Sequence, residues 1–217
     1  MIKIITNVLG PIQTDCYFVI NEQNKQALII DPACEADYIA EKCRELQIIP
    51  VAILLTHGHY DHTGGVFDLK QALNIPVYAG DDEKALLCDP IKNGEFLMVS
   101  EAARRGSKPV EADFWLTDNQ LIEPAGFPVK IISAPGHTAG GICFYLESEN
   151  VLFSGDVLFA NNFGRTDLPT GNMRTLADSI INKLFVLPPE TKVYPGHGES
   201  TDIAYEKANN PIYRYCK

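Results

Sequence analysis

The chain has 217 residues, 46% hydrophobic and 21% charged, an ordinary soluble composition at a length where burying a core is no obstacle. A formal charge of −10 without any Lys/Arg cluster argues against a nucleic-acid backbone or an anionic membrane surface as partner. The start, Met-Ile-Lys-Ile-Ile-Thr, is too short and too lightly charged for a signal peptide, and no run of about eighteen apolar residues exists, so the expectation is a cytoplasmic protein.

Residues 3–8, 16–21 and 26–31 read as strands, the last two joined by the polar turn 22–25, which predicts an antiparallel start. Pro32 removes a donor and stops the third strand, leaving Asp31 at its end, where it either orients a ligand or simply closes the turn. Ile39, Cys43 and Leu46 have helical spacing, predicting an amphipathic helix over 35–47. The apolar run 51–55, a second helix carrying Val66, Leu69 and Leu73, and a strand at 76–79 follow, and crossovers of this length favour parallel neighbours. A short helix is expected at 81–88. Residues 89–115 are the least regular stretch, broken at Asp89-Pro90, Asn93-Gly94 and Lys108-Pro109, and read as an excursion that walls the site. Arg104, Arg105 and Lys108 are its one positive spot. Strands return at 121–122, 129–132, 142–146 and 151–153, and the whole of 1–217 reads as one domain.

Residues 56–62, Thr-His-Gly-His-Tyr-Asp-His, follow the apolar strand directly. Three imidazoles and a carboxylate within six residues form a metal-binding pattern, with the neutral nitrogens and anionic oxygen that suit zinc or another first-row ion. Side chains alternate on extended backbone, so His57 and His59 face one way, while Asp61 and His62 are re-aimed as the chain turns into a helix. One motif can therefore serve two metals. Three further strand ends each offer a ligand after a glycine: His137 after Pro135-Gly136, Asp156 after Ser154-Gly155, and His197 after Pro195-Gly196. All five histidines of the chain thus lie in glycine-containing turns at strand ends, which leaves none for an incidental role. The six cysteines are scattered without a Cys-x-x-Cys pair and read as reduced core residues.

These motifs resemble the metallo-β-lactamase superfamily over nearly the whole chain. Gly155-Asp156-Val157-Leu158-Phe159, Gly164-Arg165-Thr166-Asp167 and Gly171-Asn172 narrow the resemblance to the glyoxalase II branch, the hydroxyacylglutathione hydrolases, and to their short bacterial relatives. The resemblance implies an α/β fold, a four-layer αββα sandwich of two mixed sheets flanked by helices with the site at one edge. It also implies two zinc ions, with iron or manganese as alternatives. His57, His59 and His137 would hold one ion and Asp61, His62 and His197 the other. Asp156 would bridge them, making Asp61 and Asp156 the catalytic carboxylates. Arg165 and Asp167 are expected to organise the loop after the bridge, and Lys207 is a candidate substrate contact. The longer enzymes carry a C-terminal helical domain that grips glutathione, which has no counterpart here; the ending at 206–211 resembles that of the short relatives.

A thioester is the implied small-molecule substrate, with S-lactoylglutathione as the family's example. Its thiolate leaving group, with a pKa near about 8.5, departs without a dedicated acid, and no histidine is spare to act as one. The rival within the superfamily is a single-iron persulfide dioxygenase, which shares the histidine motif and Gly-Arg-Thr-Asp. Hydrolases of another ester are a further alternative.

Overall fold

The computed structural model describes residues 1–98 and 108–215. Among them, six strands form one sheet in chain order: β1 (Ile2–Leu9), β2 (Thr14–Asn21), β3 (Gln26–Ile30), β4 (Ile49–Leu54), β5 (Val77–Gly80) and β6 (Phe114–Leu116). β1, β2 and β3 pair antiparallel, whereas β3 to β6 run parallel, as the crossovers require. The crossovers carry α1 (Ala36–Glu45), α2 (Tyr60–Thr63) and α3 (Val66–Leu73). The second sheet has the order β14, β13, β10, β9, β8, β7, from β7 (Leu121–Ile122), β8 (Val129–Ser133), β9 (Ile142–Leu146), β10 (Val151–Gly155), β13 (Lys192–Pro195) and β14 (Thr201–Asp202). A two-stranded hairpin, β11 (Leu158–Phe159) with β12 (Asn162–Phe163), stands apart from both sheets.

Alternation along the strands builds the layers. In β2, Cys16, Phe18 and Ile20 pack outward under α1 and α3 with Ile39, Cys43 and Leu69, while Tyr17 and Val19 face the other sheet. β9 does the same, sending Phe144 between the sheets and Cys143 and Tyr145 outward. Strand β2 is buried along its full length because both faces are covered. Each fully buried side chain such as Phe144 or Phe153 contributes roughly 1.5–3 kcal/mol by leaving water. The outer face of the second sheet is covered by α6 (Met173–Ser179), its π-helical continuation Ile180–Leu184, and α7 (Ile203–Asn209). Helix, sheet, sheet, helix is the expected four-layer order.

Several local expectations need correction. A helix not expected from the sequence stands between 156 and 192, where Leu176, Ile180 and Leu184 recur every fourth residue and Asn172 caps α6 by accepting from Thr175 N at 3.0 Å. Residues 89–98 contain a further short helix, α5 (Glu95–Met98), after α4 (Lys84–Leu87), and Tyr60 N donates to Asn93 O at 2.8 Å, so this part of the excursion abuts α2. Arg104 and Arg105 lie outside the described residues. Lys108 sits with its Nζ 4.1 Å from the centre of the Phe67 ring. Cys16, Cys43 and Cys143 are buried free thiols, but Cys88 is exposed and Cys34 half-buried; Cys216 lies outside the described residues. No helix of the described residues is long and apolar enough to cross a membrane.

Candidate metal centre

The edge of the sandwich at which β3, β4, β10 and β13 end gathers the histidines. Register decides this: β3 and β4 run parallel with Ile30 beside Leu54, so Asp31 arrives next to Thr56. β10 and β13 run parallel with Gly155 beside Pro195, so Asp156 and His197 leave the second sheet side by side. The hairpin of β8 and β9 closes over His137, and Ile142 N donates to Thr56 O at 2.9 Å, joining the two sheets at this rim.

Three groups of candidate ligand atoms result, those of each within 4.8 Å of one another: His57, His59 and His137; Asp61, His62 and His197; and Asp31, His57 and His62. In the last, Asp31 meets His62 at Nδ1, behind the ring, which leaves the first two as the clusters of inward ligand atoms. Between them lies Asp156, whose Oδ1 is 3.2 Å from His62 Nε2 and whose Oδ2 is 3.6 Å from both His137 Nε2 and His197 Nε2. Gly196 is required here by space, since a Cβ there would fall 2.1 Å from Asp156 Oδ1. Gly155 is required by conformation, its φ of +49° being combined with a Cβ position 2.3 Å from Thr56 Oγ1.

Four of the five imidazoles are held from behind by an oxygen at Nδ1. Thr56 Oγ1 donates to Asp31 Oδ2 at 2.6 Å and accepts from His57 Nδ1 at 3.1 Å, and His62 Nδ1 donates to the same Asp31 oxygen at 2.9 Å. Asp31 Oδ1 also takes Thr56 N at 2.8 Å. Asp31 adopts φ +49°, a conformation that aspartate tolerates better than most residues, and both its oxygens are engaged. His137 Nδ1 donates to Arg165 O at 2.7 Å and His197 Nδ1 to Gln13 O at 3.3 Å. These contacts leave Nε2 of the four rings turned inward. His59 differs, pointing Nδ1 at His137 Nε2, 2.9 Å away.

The electrostatics divide along the same line. Burial pushes His57 and His137 below the ordinary imidazole range, and His59 down to about 3, so the three-histidine cluster holds neutral rings. Burial would also lower His62 and His197, but the carboxylates win: Asp156, Asp61 and Asp31 raise His62 well above its usual value, and Asp156 and Asp61 raise His197 to about 10. Asp156 is held well below the carboxylate range against burial by His62 and His197.

A sequence model of the Metallo-beta-lactamase superfamily matches residues 9–197. The chain belongs to that superfamily. It is 38% identical over 94% of its length to the probable metallo-hydrolase YqgX of Bacillus subtilis, and 34% identical over 92% to the hydroxyacylglutathione hydrolase GloC of Haemophilus influenzae, covering 94% and 92% of those relatives. Among solved structures it is similar to the BLEG-1 B3 metallo-beta-lactamase (39% identity, TM-score 0.88, 97% of this chain and 99% of that one). It is also similar to TTHA1623 in a di-iron-bound form (33%, TM-score 0.81, 96% and 99%). ETHE1 from Myxococcus xanthus follows at 26% identity and a TM-score of 0.78, over 97% and 83%. The His/Asp groups of this superfamily member fit a binuclear metal site.

Three of the residues singled out in the sequence, Arg165, Asp167 and Lys207, have exposed side chains. Arg165 and Asp167 form an exposed two-pronged ion pair at 2.7 Å, and the loop acts on the centre through the Arg165 carbonyl instead. Lys207 is exposed on α7. Its neighbour Glu206 is the buried residue: it accepts from Asn161 N at 3.0 and 3.1 Å and from Thr201 Oγ1 at 2.7 Å, fastening the β11–β12 hairpin. A Cβ at Gly64 would strike Ala33 O at 2.8 Å and one at Gly65 would strike Pro32 O at 2.6 Å, so these glycines seat α2 and α3 on the 32–34 turn. Asp15 escaped the sequence reading altogether. It is buried beside the centre, with Asp15 N on Gly196 O at 2.8 Å, and burial raises its carboxyl to about 6.

Proposed function

We propose that the chain is a binuclear metal-dependent hydrolase of thioesters, of the hydroxyacylglutathione hydrolase kind. The observation that carries this reading is Asp156, a single carboxylate within 3.6 Å of histidines from both ligand clusters. His57, His59 and His137 would hold one ion, Asp61, His62 and His197 the other, and Asp156 both. The fit is tested by His57 Nε2, His62 Nε2 and Asp156 Oδ1, which are buried, face the centre and have no hydrogen-bond partner among the described residues. Unpaired buried polar atoms are costly, and a cation beside these atoms relieves that cost. The donor set suits zinc, with iron or manganese as alternatives. Two such ions supply Lewis acidity, which lowers the pKa of a coordinated water to about 7 and stabilises negative charge on a carbonyl oxygen.

The chain's own residues prepare that centre. Asp31, directly and through Thr56, keeps the Nδ1 protons of His62 and His57 pointing outward, and the Arg165 and Gln13 carbonyls do the same for His137 and His197. With these four and His59 all assigned as ligands, no histidine is left to protonate a leaving group. A thiolate, with its pKa near about 8.5, does not need that proton, whereas an amine does.

A second reading, single-iron oxygenation of a persulfide, rests on the histidine motif and Gly164-Arg165-Thr166-Asp167, and the second ligand cluster speaks against it. The test is kcat/KM of the metal-loaded chain on S-lactoylglutathione, on acyl thioesters of smaller thiols and on a β-lactam, with oxygen uptake followed on glutathione persulfide. Thioester turnover is expected to exceed β-lactam turnover at least about a hundredfold, or about 2.7 kcal/mol of differential transition-state binding. Oxygen uptake without thioester hydrolysis contradicts the proposal.

A further inference from the structure

Glu83 has no part in the reading above, and its setting, Asp81-Asp82-Glu83-Lys84, looks like a solvated helix start. It is nevertheless 1% exposed. Its two carboxylate oxygens reach in different directions: Oε2 accepts from Gly58 N at 2.7 Å, and Oε1 accepts from Gly140 N at 2.8 Å. Gly58 lies between His57 and His59, and Gly140 lies three residues after His137 in the same turn. All three ligands of the first cluster are therefore carried on backbone tied to one buried carboxylate.

The second cluster is anchored elsewhere. Helix α2, which carries Asp61 and His62, is held by Tyr60 N on Asn93 O at 2.8 Å and by His62 Nδ1 on Asp31, and His197 is held by Gln13 O. The approach of the three segments at Glu83 depends on space. A Cβ at Gly58 would lie 2.7 Å from Glu83 Oε2, one at Gly140 2.4 Å from Glu83 N, and one at Gly80 2.3 Å from Gly140 O. A carboxylate suits this position because both partners are N–H donors. Glutamine offers one acceptor oxygen and sets its NH₂ against a second donor, while aspartate is one methylene short of spanning the two loops.

We infer that Glu83 is a positioning residue that sets the spacing of His57, His59 and His137, so that its loss weakens one of the two metal positions and spares the other. This rests on the binuclear reading of the centre. Such partners behind a metal ligand typically change affinity 10- to 100-fold.

The test is zinc titration of the metal-free full chain against a chromophoric chelator, with the two binding events assigned by which of them His59→Ala and His197→Ala abolish. Glu83→Gln is expected to weaken the event lost in His59→Ala by roughly tenfold or more, leaving the other within about twofold, and Glu83→Asp is expected to behave alike. Persistence of the second event reports that the variant is folded. Gly58→Ala, which displaces the carboxylate end while keeping its charge, is expected to give the same selective loss and serves if Glu83→Gln does not fold. Two wild-type events that respond equally to these changes, or not at all, overturn the inference alone. A wild-type chain with a single zinc event overturns the binuclear reading and the inference with it.

Discussion

Replacing Asp156 with alanine is expected to lower kcat/KM for thioester hydrolysis roughly a thousandfold, about 4 kcal/mol of transition-state stabilisation. Among the described residues, Asp156 is the one carboxylate within 3.6 Å of His62, His137 and His197 together. Two cations held side by side repel strongly where water is scarce, and a shared anion is the cheapest compensation available to the chain. Without it, Asp61 remains the carboxylate beside the Nε2 atoms of His62 and His197, at 3.5 and 3.3 Å, while Asp31 lies behind the His62 ring at Nδ1. The alanine variant should also bind its second metal ion more weakly than its first. Turnover within tenfold of the wild type would show that the bridge lies elsewhere.

Asp31→Ala should act differently, through metal affinity first and turnover second. Asp31 touches neither cluster's inward nitrogens, yet it fixes the tautomer and tilt of His62 directly and of His57 through Thr56. Loss of such a partner typically costs 10- to 100-fold in metal affinity. The variant also strands Thr56 N and His62 Nδ1 in the interior, since Asp31 is 1% exposed, and each unsatisfied buried donor costs about 1–3 kcal/mol of stability. Zinc titration and thermal melts of the metal-free protein separate the two effects. Asp31→Asn, which keeps an acceptor for Thr56 N, is expected to recover stability more than affinity. An Asp31→Ala chain that binds zinc as tightly as the wild type would remove Asp31 from the account.

The candidate ligand residues could be picked out in the sequence because a strand end, a glycine and a histidine recur together, and strand ends converge when the strands are parallel. Asp61 and His62 could be assigned away from His57 and His59 because extended backbone and helix aim side chains differently. What escaped was everything whose meaning depends on burial. Glu83 and Glu206 sit among charged neighbours and read as solvated helix residues, yet both are buried and bind loops together. Asp15 precedes the strand read at 16–21, whereas β2 begins at Thr14 and sandwiching buries it along its full length. The hairpin β11–β12 has two-residue strands, too short to show any period. Arg165 and Asp167 stand out by their motif, but it is the Arg165 carbonyl, invisible to side-chain reading, that reaches His137.

The most direct test of the central claim is the metal content of the chain after reconstitution at neutral pH. Elemental analysis against protein concentration should give two equivalents per chain, falling as pH drops into the acid range because ligation requires unprotonated imidazole. Wild-type content that never exceeds one equivalent, even with excess zinc, iron or manganese supplied, would contradict a binuclear centre built around Asp156.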